Sequence, residues 1–546
     1  MDLEGGISTT INVADINNDG YKEIFLGLAK GAYDQYGYII GLRHDGTELF
    51  DIDNNVTTYS GFSQTNAYID AGVAIADLQA TGENQVVWAT RSFNRNNDNY
   101  ITCHSVKDLN GDHLPDIIWQ NNVNSSFFRN PIVANVDNSP DGSMEIIMKS
   151  DMNSGWEEIK ILDYNGNLLY HFGVGGTYGA LAVADLDGDG DKEIIAGYTD
   201  GVYIWHHNGT PYSVNPVLSK VGYNFSSSPI VCDLDNDGIK EILIVATKIV
   251  DPNSNPATES IVYAIKPNGS ILPGWGTNVQ KYPVSQQNVS KEISVGDLNN
   301  DGDLEVVALG TDVVNIWNKS GGLINSINIP GANGVVINPI LADVDGDAEI
   351  EIIFPALEKI HAIKTAGKSA LGFPLTLNNA SSKRRTVCVA DLDNNGKVEI
   401  IAAGENKIYV WETNGNPNRI EWGSERHDPQ NTGEYYKICS KTIIKSNTVW
   451  NSNQEVCDNI IIESGTLTLN SACTLTLKES SMIIVRPGAN LVIDGGKILS
   501  ANIKALSGSS VTLKNNGYVK LNKKGEFNIC LGATFDYQYG EIDITP

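Results

Sequence analysis

An all-β chain, folded as an eight-bladed β-propeller followed by a small β-solenoid or β-sandwich domain, is what this sequence predicts. The expectation rests on an acidic loop that recurs eight times up to about residue 436, on a glycine turn that recurs in step with it, and on a change of texture from Lys437 onward. Self-similarity at a period of tens of residues marks a repeat architecture before any local propensity does.

The repeat is aligned on the first polar residue of each loop. The starts are Asp15, Asp77, Asn135, Asp185, Asp233, Asp297, Asp343 and Asp391, spaced 46 to 64 residues apart. Two positions earlier stands an aliphatic residue (Val13, Ile75, Val133, Val183, Val231, Val295, Leu341, Val389), and just before the start a small one (Ala14, Ala76, Ala134, Ala184, Cys232, Gly296, Ala342, Ala390). After the loop comes an acid or amide and an apolar pair, as in Glu193-Ile194-Ile195. This reads as strand, tight loop, strand. The second landmark is a turn at Gly46, Gly111, Gly166, Gly209, Gly269, Gly321, Gly367 and Gly415, mostly Asn-Gly or Asp-Gly between short apolar runs. Such dipeptides tolerate positive φ and signal hairpins. Each unit therefore predicts four strands, and four-stranded units without helical periodicity predict propeller blades. "KDLNGDHLPDIIW", Lys107 to Trp119, looks like a ninth acidic loop, but Asp108, Asn110 and Asp112 fall where the glycine turn of unit two belongs and read as hairpin residues.

Within the loops, side-chain oxygens recur at positions 1, 3, 5 and 9. The complete sets are Asp15, Asn17, Asp19, Glu23; Asp185, Asp187, Asp189, Glu193; Asp233, Asp235, Asp237, Glu241; Asp297, Asn299, Asp301, Glu305; and Asp391, Asp393, Asn395, Glu399. Asp343, Asp345, Asp347 and Glu351 keep the oxygens but carry Ala348 in place of glycine, which demands a less favourable backbone. The third loop is two residues longer, with Asn135, Asp137, Asp141 and Glu145 as candidate ligands. The second offers only Asp77, Gln79, Thr81 and Gln85, too little charge to bind an ion well. Hard oxygen ligands of this number suit Ca²⁺; Zn²⁺ or copper would call for the His or Cys these loops lack. One such loop in isolation is as well explained by solvated Asp and Asn turns. Seven in register hold 24 carboxylates, and neighbouring charges about 4 Å apart repel by about 4 kcal/mol per pair at an effective dielectric near 20. The expectation is about seven structural Ca²⁺ sites.

These loops resemble those of the FG-GAP and VCBS-type repeats, the calcium-binding propeller repeats of integrin alpha chains and of many secreted bacterial proteins. The resemblance covers about 430 residues, although the literal Gly-Ala-Pro signature is absent and eight units exceed the seven of integrins. It implies calcium stabilisation and a binding or adhesion platform.

The net charge agrees with a cation-binding role. With 66 acidic against 38 basic residues the chain carries -28, which argues against nucleic acid, whose affinity rests on Lys and Arg. No apolar run approaches the length of a membrane helix, and "MDLEGGIST" lacks the build of a signal peptide, so any leader or further domain is expected outside this chain.

From Lys437 to Pro546, short runs alternate strictly, as in "TLTLN", "TLTLK" and "VTLKNNGYVKL". Period-2 patterning predicts strands but does not choose between solenoid and sandwich; the texture resembles the β-solenoid tails of secreted bacterial surface proteins. Cys439, Cys457, Cys473 and Cys530 fall in this part and permit three pairings. Just before it, "WGSERHDPQNTGEYY" reads as the closing segment of the last blade.

The functional expectation is a non-catalytic, calcium-stabilised extracellular propeller that binds a glycan or protein. Two alternatives stand beside it. The first is a polysaccharide lyase, since one family of rhamnogalacturonan lyases consists of eight-bladed propellers with similar loops; the second is an ancillary part of a larger secreted hydrolase. His206, His207 and His427 form no catalytic constellation and read as surface or packing residues, while Trp205, Trp317 and Trp411 share one blade position and read as core.

Overall fold

In the computed structural model the chain divides into two compact units, Met1–Tyr436 and Lys437–Pro546. The structure describes all residues except 1–5, 8, 18, 31–35, 51–61, 66–68, 70, 91–98, 109–110, 112–113, 123–125, 128, 152–156, 175–178, 249–258, 282–291, 311–312, 330–338, 357, 378–385, 405–406, 436–441, 457–459, 478–481, 522–526 and 544–546. Among the described residues regular structure is β apart from one short 3-10 turn, Pro417–Arg419, and no helix is long and apolar enough to cross a membrane.

The first unit is the eight-bladed propeller. In each blade a short inner strand ends on the small residue of the repeat: Asn12–Ala14, Ala74–Ala76, Ile132–Ala134, Ala182–Ala184, Ile230–Cys232, Ile293–Gly296, Ile340–Ala342 and Thr386–Ala390. Each second strand begins on the position-9 residue, and in every blade the two are paired, from Ala14 with Glu23 to Ala390 with Glu399. The small residues are needed because the inner strands crowd the axis. A Cβ on Gly296 would lie 2.6 Å from Glu421 Cβ. The turn glycines Gly46, Gly166, Gly209, Gly269, Gly321 and Gly367 have φ between +75° and +84°, and Gly111 has +78°, which confirms the hairpin reading of that stretch; Asn110 and Asp112 lie outside the described residues.

The expectation of four strands per blade needs correction. Blades 2 and 6 have four, whereas blades 4 and 8 form three-stranded sheets among the described residues. In blade 8 the landmark Gly415 is not in a left-handed turn; it is there because its backbone passes the blade 7 loop, where a Cβ would lie 2.2 Å from Asp343 O.

The chain is diverted at that point, so "WGSERHDPQNTGEYY" does not complete the last blade. Ile420–Trp422 pairs with the inner strand of blade 7, and the following residues run past the inner strands of the other blades. Backbone N–H groups of Asp343 (blade 7), Val389 (blade 8), Ile75 (blade 2), Val133 (blade 3), Val183 (blade 4) and Val231 (blade 5) donate to the carbonyls of Arg419, Gly423, Pro429, Gln430, Thr432 and Gly433, at 2.9 to 3.0 Å. Asn12 Nδ2 of blade 1 donates to Pro429 O at 2.9 Å, and the blade 6 N–H of Asp297 lies 3.4 Å from Glu421 Oε2. All eight blades are thus bonded to one central segment. Two of its buried side chains donate to carbonyls just ahead of inner strands: Arg426 Nη2 to Leu181 O and Pro229 O, and Asn431 Nδ2 to Val73 O and Pro131 O.

Apolar clusters fill the spaces between blades. Ile24, Leu26 and Ile40 of blade 1 pack with Ile401, Ala403 and Ile408 of blade 8, which closes the ring. One hydrogen bond repeats between neighbours: the residue before the position-9 acid donates to the carbonyl at position 2 of the preceding loop. It joins Met144 to Leu78, Lys192 to Val136 and Ile350 to Leu298, and across the closure Lys22 to Leu392 at 2.8 Å.

The second unit is a β-solenoid, which settles the choice left open by the pattern. Its strands stack in parallel columns, one of them Thr448–Trp450, Thr466–Asn470, Asn490–Asp494, Ser510–Lys514 and Thr534–Tyr537. Alternation along each strand turns Leu467, Leu469, Leu491, Ile493, Val511 and Leu513 inward onto one another. Cys473 is buried and Cys530 half-buried, both with free thiols; Cys439 and Cys457 lie outside the described residues.

Candidate metal centres

The acidic loops sit where the first strand of a blade turns into the second, and their own hydrogen bonds shape them. The position-9 carboxylate accepts from the N–H at position 2 in all seven acidic blades: Ile16 to Glu23, Val136 to Glu145, Leu186 to Glu193, Leu234 to Glu241, Leu298 to Glu305, Val344 to Glu351 and Leu392 to Glu399, at 2.7 to 3.1 Å. In blade 2, Gln85 Oε1 takes the same bond from Leu78 at 2.7 Å. The position-1 carboxylate accepts from the N–H at position 6: Gly20, Gly190, Gly238, Gly302, Ala348 and Gly396 bond Asp15, Asp185, Asp233, Asp297, Asp343 and Asp391. The position-6 residue must therefore take positive φ, and Ala348 does so at +72° despite its Cβ.

These bonds fold the loop so that other oxygens meet. Carboxylates of Asp185, Asp187 and Glu193, of Asp233, Asp235 and Glu241, of Asp343, Asp345 and Asp347, and of Asp391, Asp393 and Glu399 each offer oxygens within 4.8 Å of one another. The fourth residue of these sets, Asp189, Asp237, Glu351 or Asn395, stays in the same loop; Asp189 and Asp237 accept from the N–H two residues on, at 2.9 Å. In blades 1 and 6, Asp15, Asp19 and Glu23, and Asp297, Asp301 and Glu305, keep the loop bonds without so tight a carboxylate cluster among the described residues, Asn17 and Asn299 standing where other loops have an acid. The longer blade 3 loop is shaped differently: Asn135 accepts from Ser139, and Asp141 from Ser143.

The electrostatics mark the position-9 acids. Glu23, Glu145, Glu193, Glu241, Glu305, Glu351 and Glu399 are all buried, and burial pushes each carboxyl up to about 7 against the hydrogen bond from the position-2 N–H. Glu241 Oε1, Glu351 Oε1, Asp345 Oδ1 and Asp15 Oδ1 are buried and accept no hydrogen bond. A buried carboxylate oxygen without a donor, aimed into a cluster of further carboxylates, is an arrangement a hard cation fits.

Sequence reasoning missed the cationic and imidazole groups around the loops. Lys266 and Lys364 reach into the loops of blades 5 and 7, and His206 Nδ1 lies 3.1 Å from Glu193 Oε1. Their shared place in the repeat, three residues before the turn glycine, was the available signal. His427 is buried in the central segment against Trp422, and Trp205 and Trp317 are buried between strands, while Trp411 is only half-buried.

Residues 185–244, the loop of blade 4 through the second strand of blade 5, match the family model described as the FG-GAP-like repeat. No curated protein sequence matches the chain. Among solved structures, the biofilm matrix protein Bap1 of V. cholerae is similar at 14% identity, over 80% of this chain and 94% of that one, with a TM-score of 0.39. The C-terminal domain of PilY1 of Pseudomonas aeruginosa is similar at 13% identity, over 72% and 92%, with a TM-score of 0.37. Residues 185–244 thus match an FG-GAP-like repeat, and they lie within an eight-bladed propeller that precedes a β-solenoid in the chain.

Proposed function

We propose that this protein is a calcium-stabilised extracellular propeller that binds a glycan or protein ligand without transforming it. The observation that carries the calcium part is the recurrence of one loop geometry around the ring, with carboxylates gathered in four blades and buried donorless oxygens in three. Asp185, Asp187, Asp189 and Glu193 in blade 4 and Asp391, Asp393, Asn395 and Glu399 in blade 8 are the sets that would hold the ion. Its chemistry there is structural: it neutralises the loop and fixes the turn between the first two strands of the blade. Loops of this kind in extracellular modules work at about 10⁻⁴ to 10⁻³ M calcium, which suits a protein outside the cell. The ligand-binding part rests on architecture, since a rigid ring presents variable connections at fixed spacing.

A glycan array probed with the whole chain, with calcium and with chelator, tests the binding reading; calcium-dependent retention on a defined set of glycans is expected. Incubation with pectic polysaccharide tests the other side. Release of unsaturated products, read by their ultraviolet absorbance, would overturn the non-catalytic reading in favour of a lyase.

A further inference from the structure

The slot three residues before the turn glycine lies beside the acidic loop of its own blade, and different blades fill it with different charges. It holds Arg43, Asp163, His206, Lys266, Asn318, Lys364 and Glu412 in blades 1, 3, 4, 5, 6, 7 and 8. In blade 5, Lys266 Nζ is 3.6 Å from Asp235 Oδ2 and 3.8 Å from Glu241 Oε1, and it bonds Asp237 directly. In blade 7, Lys364 Nζ is 3.3 Å from Asp345 Oδ2, 3.6 Å from Glu351 Oε1 and 3.6 Å from Glu349 Oε2, and it bonds Asp347. Each ammonium therefore touches the residues of positions 3, 5 and 9, three of the four that a metal ion would share. Of the donorless buried oxygens of these two blades, Glu241 Oε1, Glu351 Oε1 and Asp345 Oδ1, the two glutamate oxygens are among the atoms it faces. Arg43 of blade 1 does otherwise: its guanidinium turns back to the carbonyls of Glu48 and Leu49. In blade 8 the slot adds a carboxylate, Glu412, whose Oε2 accepts from Asn395.

We infer that Lys266 and Lys364 are built-in cations that take the place of the metal in blades 5 and 7, so that these two loops are neutralised by the chain itself. The inference rests on the calcium reading above and divides the ring into two classes of blade. In blades 4 and 8 the carboxylates converge and the slot holds no lysine: it carries His206, 3.1 Å from Glu193 Oε1, and Glu412, paired with Lys397, so these loops require the ion. In blades 5 and 7 an ion and an ammonium would compete for the same oxygens, and the tethered group is always present at high local concentration. A blade neutralised from within stays ordered when calcium falls, whereas its neighbours loosen.

The test is the number of calcium ions bound per chain at saturation, by equilibrium dialysis of the whole chain and its variants. About five are expected rather than seven, rising by one in Lys266→Met, by one in Lys364→Met and by two in the double variant, with no rise in Lys266→Arg. Unchanged stoichiometry in the methionine variants beside a calcium-binding wild type overturns the inference and leaves the calcium reading intact; no binding in wild type or variants overturns both. A variant-independent measurement guards against misfolding: anomalous scattering from crystals of the wild-type chain grown in calcium. Peaks at blades 4 and 8 with none between Asp235 and Glu241 or between Asp345 and Glu351 are expected, and a peak at either lysine-filled loop overturns the inference.

Discussion

The position-9 glutamate does two jobs that a single substitution can separate. One of its oxygens closes the loop on the position-2 N–H, and the other faces the loop's acids. Blade 2 shows that the first job needs only a carbonyl oxygen, because Gln85 performs it in a loop with little charge. Glu193→Gln is therefore expected to leave stability in chelator within about 1 kcal/mol of wild type, since the net worth of one hydrogen bond is of that order, yet to reduce the gain in melting temperature on adding calcium. Thermal unfolding of the variant in both conditions checks it, and a full calcium response would show that Glu193 is no ligand. Proton linkage gives a second prediction on the same residues. Each glutamate is held near 7 when folded, against an ordinary 4.5. Between those values these glutamates bind more protons in the folded state than in the unfolded one, so their contribution to metal-free stability is full below about pH 4.5 and is lost as pH rises through 7. With calcium the trend should reverse, because the ion binds the ionised form. Melting temperatures at pH 5 and pH 7.5, with chelator and with calcium, check both signs.

At the level of elements, the inner and second strands were legible to the residue. The small residue and the position-9 residue, an acid in seven blades and Gln85 in blade 2, mark the end of one strand and the start of the next in all eight blades, because a tight loop constrains both of its ends. Two elements were not legible. The solenoid could not be told from a sandwich because both bury every second side chain; only the parallel pairing, Leu467 on Leu491 on Val511, decides it. The central segment could not be read because its partners lie up to 417 residues earlier, as with Pro429 and Asn12, and it has no periodicity of its own. Its importance is testable at Asn431, which has φ of +63° and donates to Pro131 O at 3.0 Å. Asn431→Leu leaves that carbonyl without its donor and forces an unsuitable residue into the left-handed region, at an expected cost of about 2–4 kcal/mol. A shift in the denaturant midpoint measures it; a neutral result would mean that the segment does not brace the ring.

The whole propeller is held by three systems that overlap. Apolar clusters between blades supply the bulk of the burial, and the closure of blade 1 on blade 8 repeats the same chemistry as the joints inside the ring. The central segment ties all eight inner strands to one stretch of chain. The acidic loops form a ring of charge; Lys266 and Lys364 enter it at positions 3, 5 and 9, while His206 meets Glu193 and Lys319 meets Asp303. The loops were the most legible feature of the sequence, since their spacing is local, whereas the lysines that distinguish them follow a later strand, and only their fixed distance from the turn glycine marks them in the sequence. Calcium as the missing counter-charge is the central claim. Its most direct measurement is thermal unfolding of the whole chain in millimolar calcium and after exhaustive chelation. A ligand that binds only the folded state at 100 times its dissociation constant adds about 2.7 kcal/mol per site, so several sites predict a large upward shift in melting temperature with calcium; superimposable curves would contradict the account.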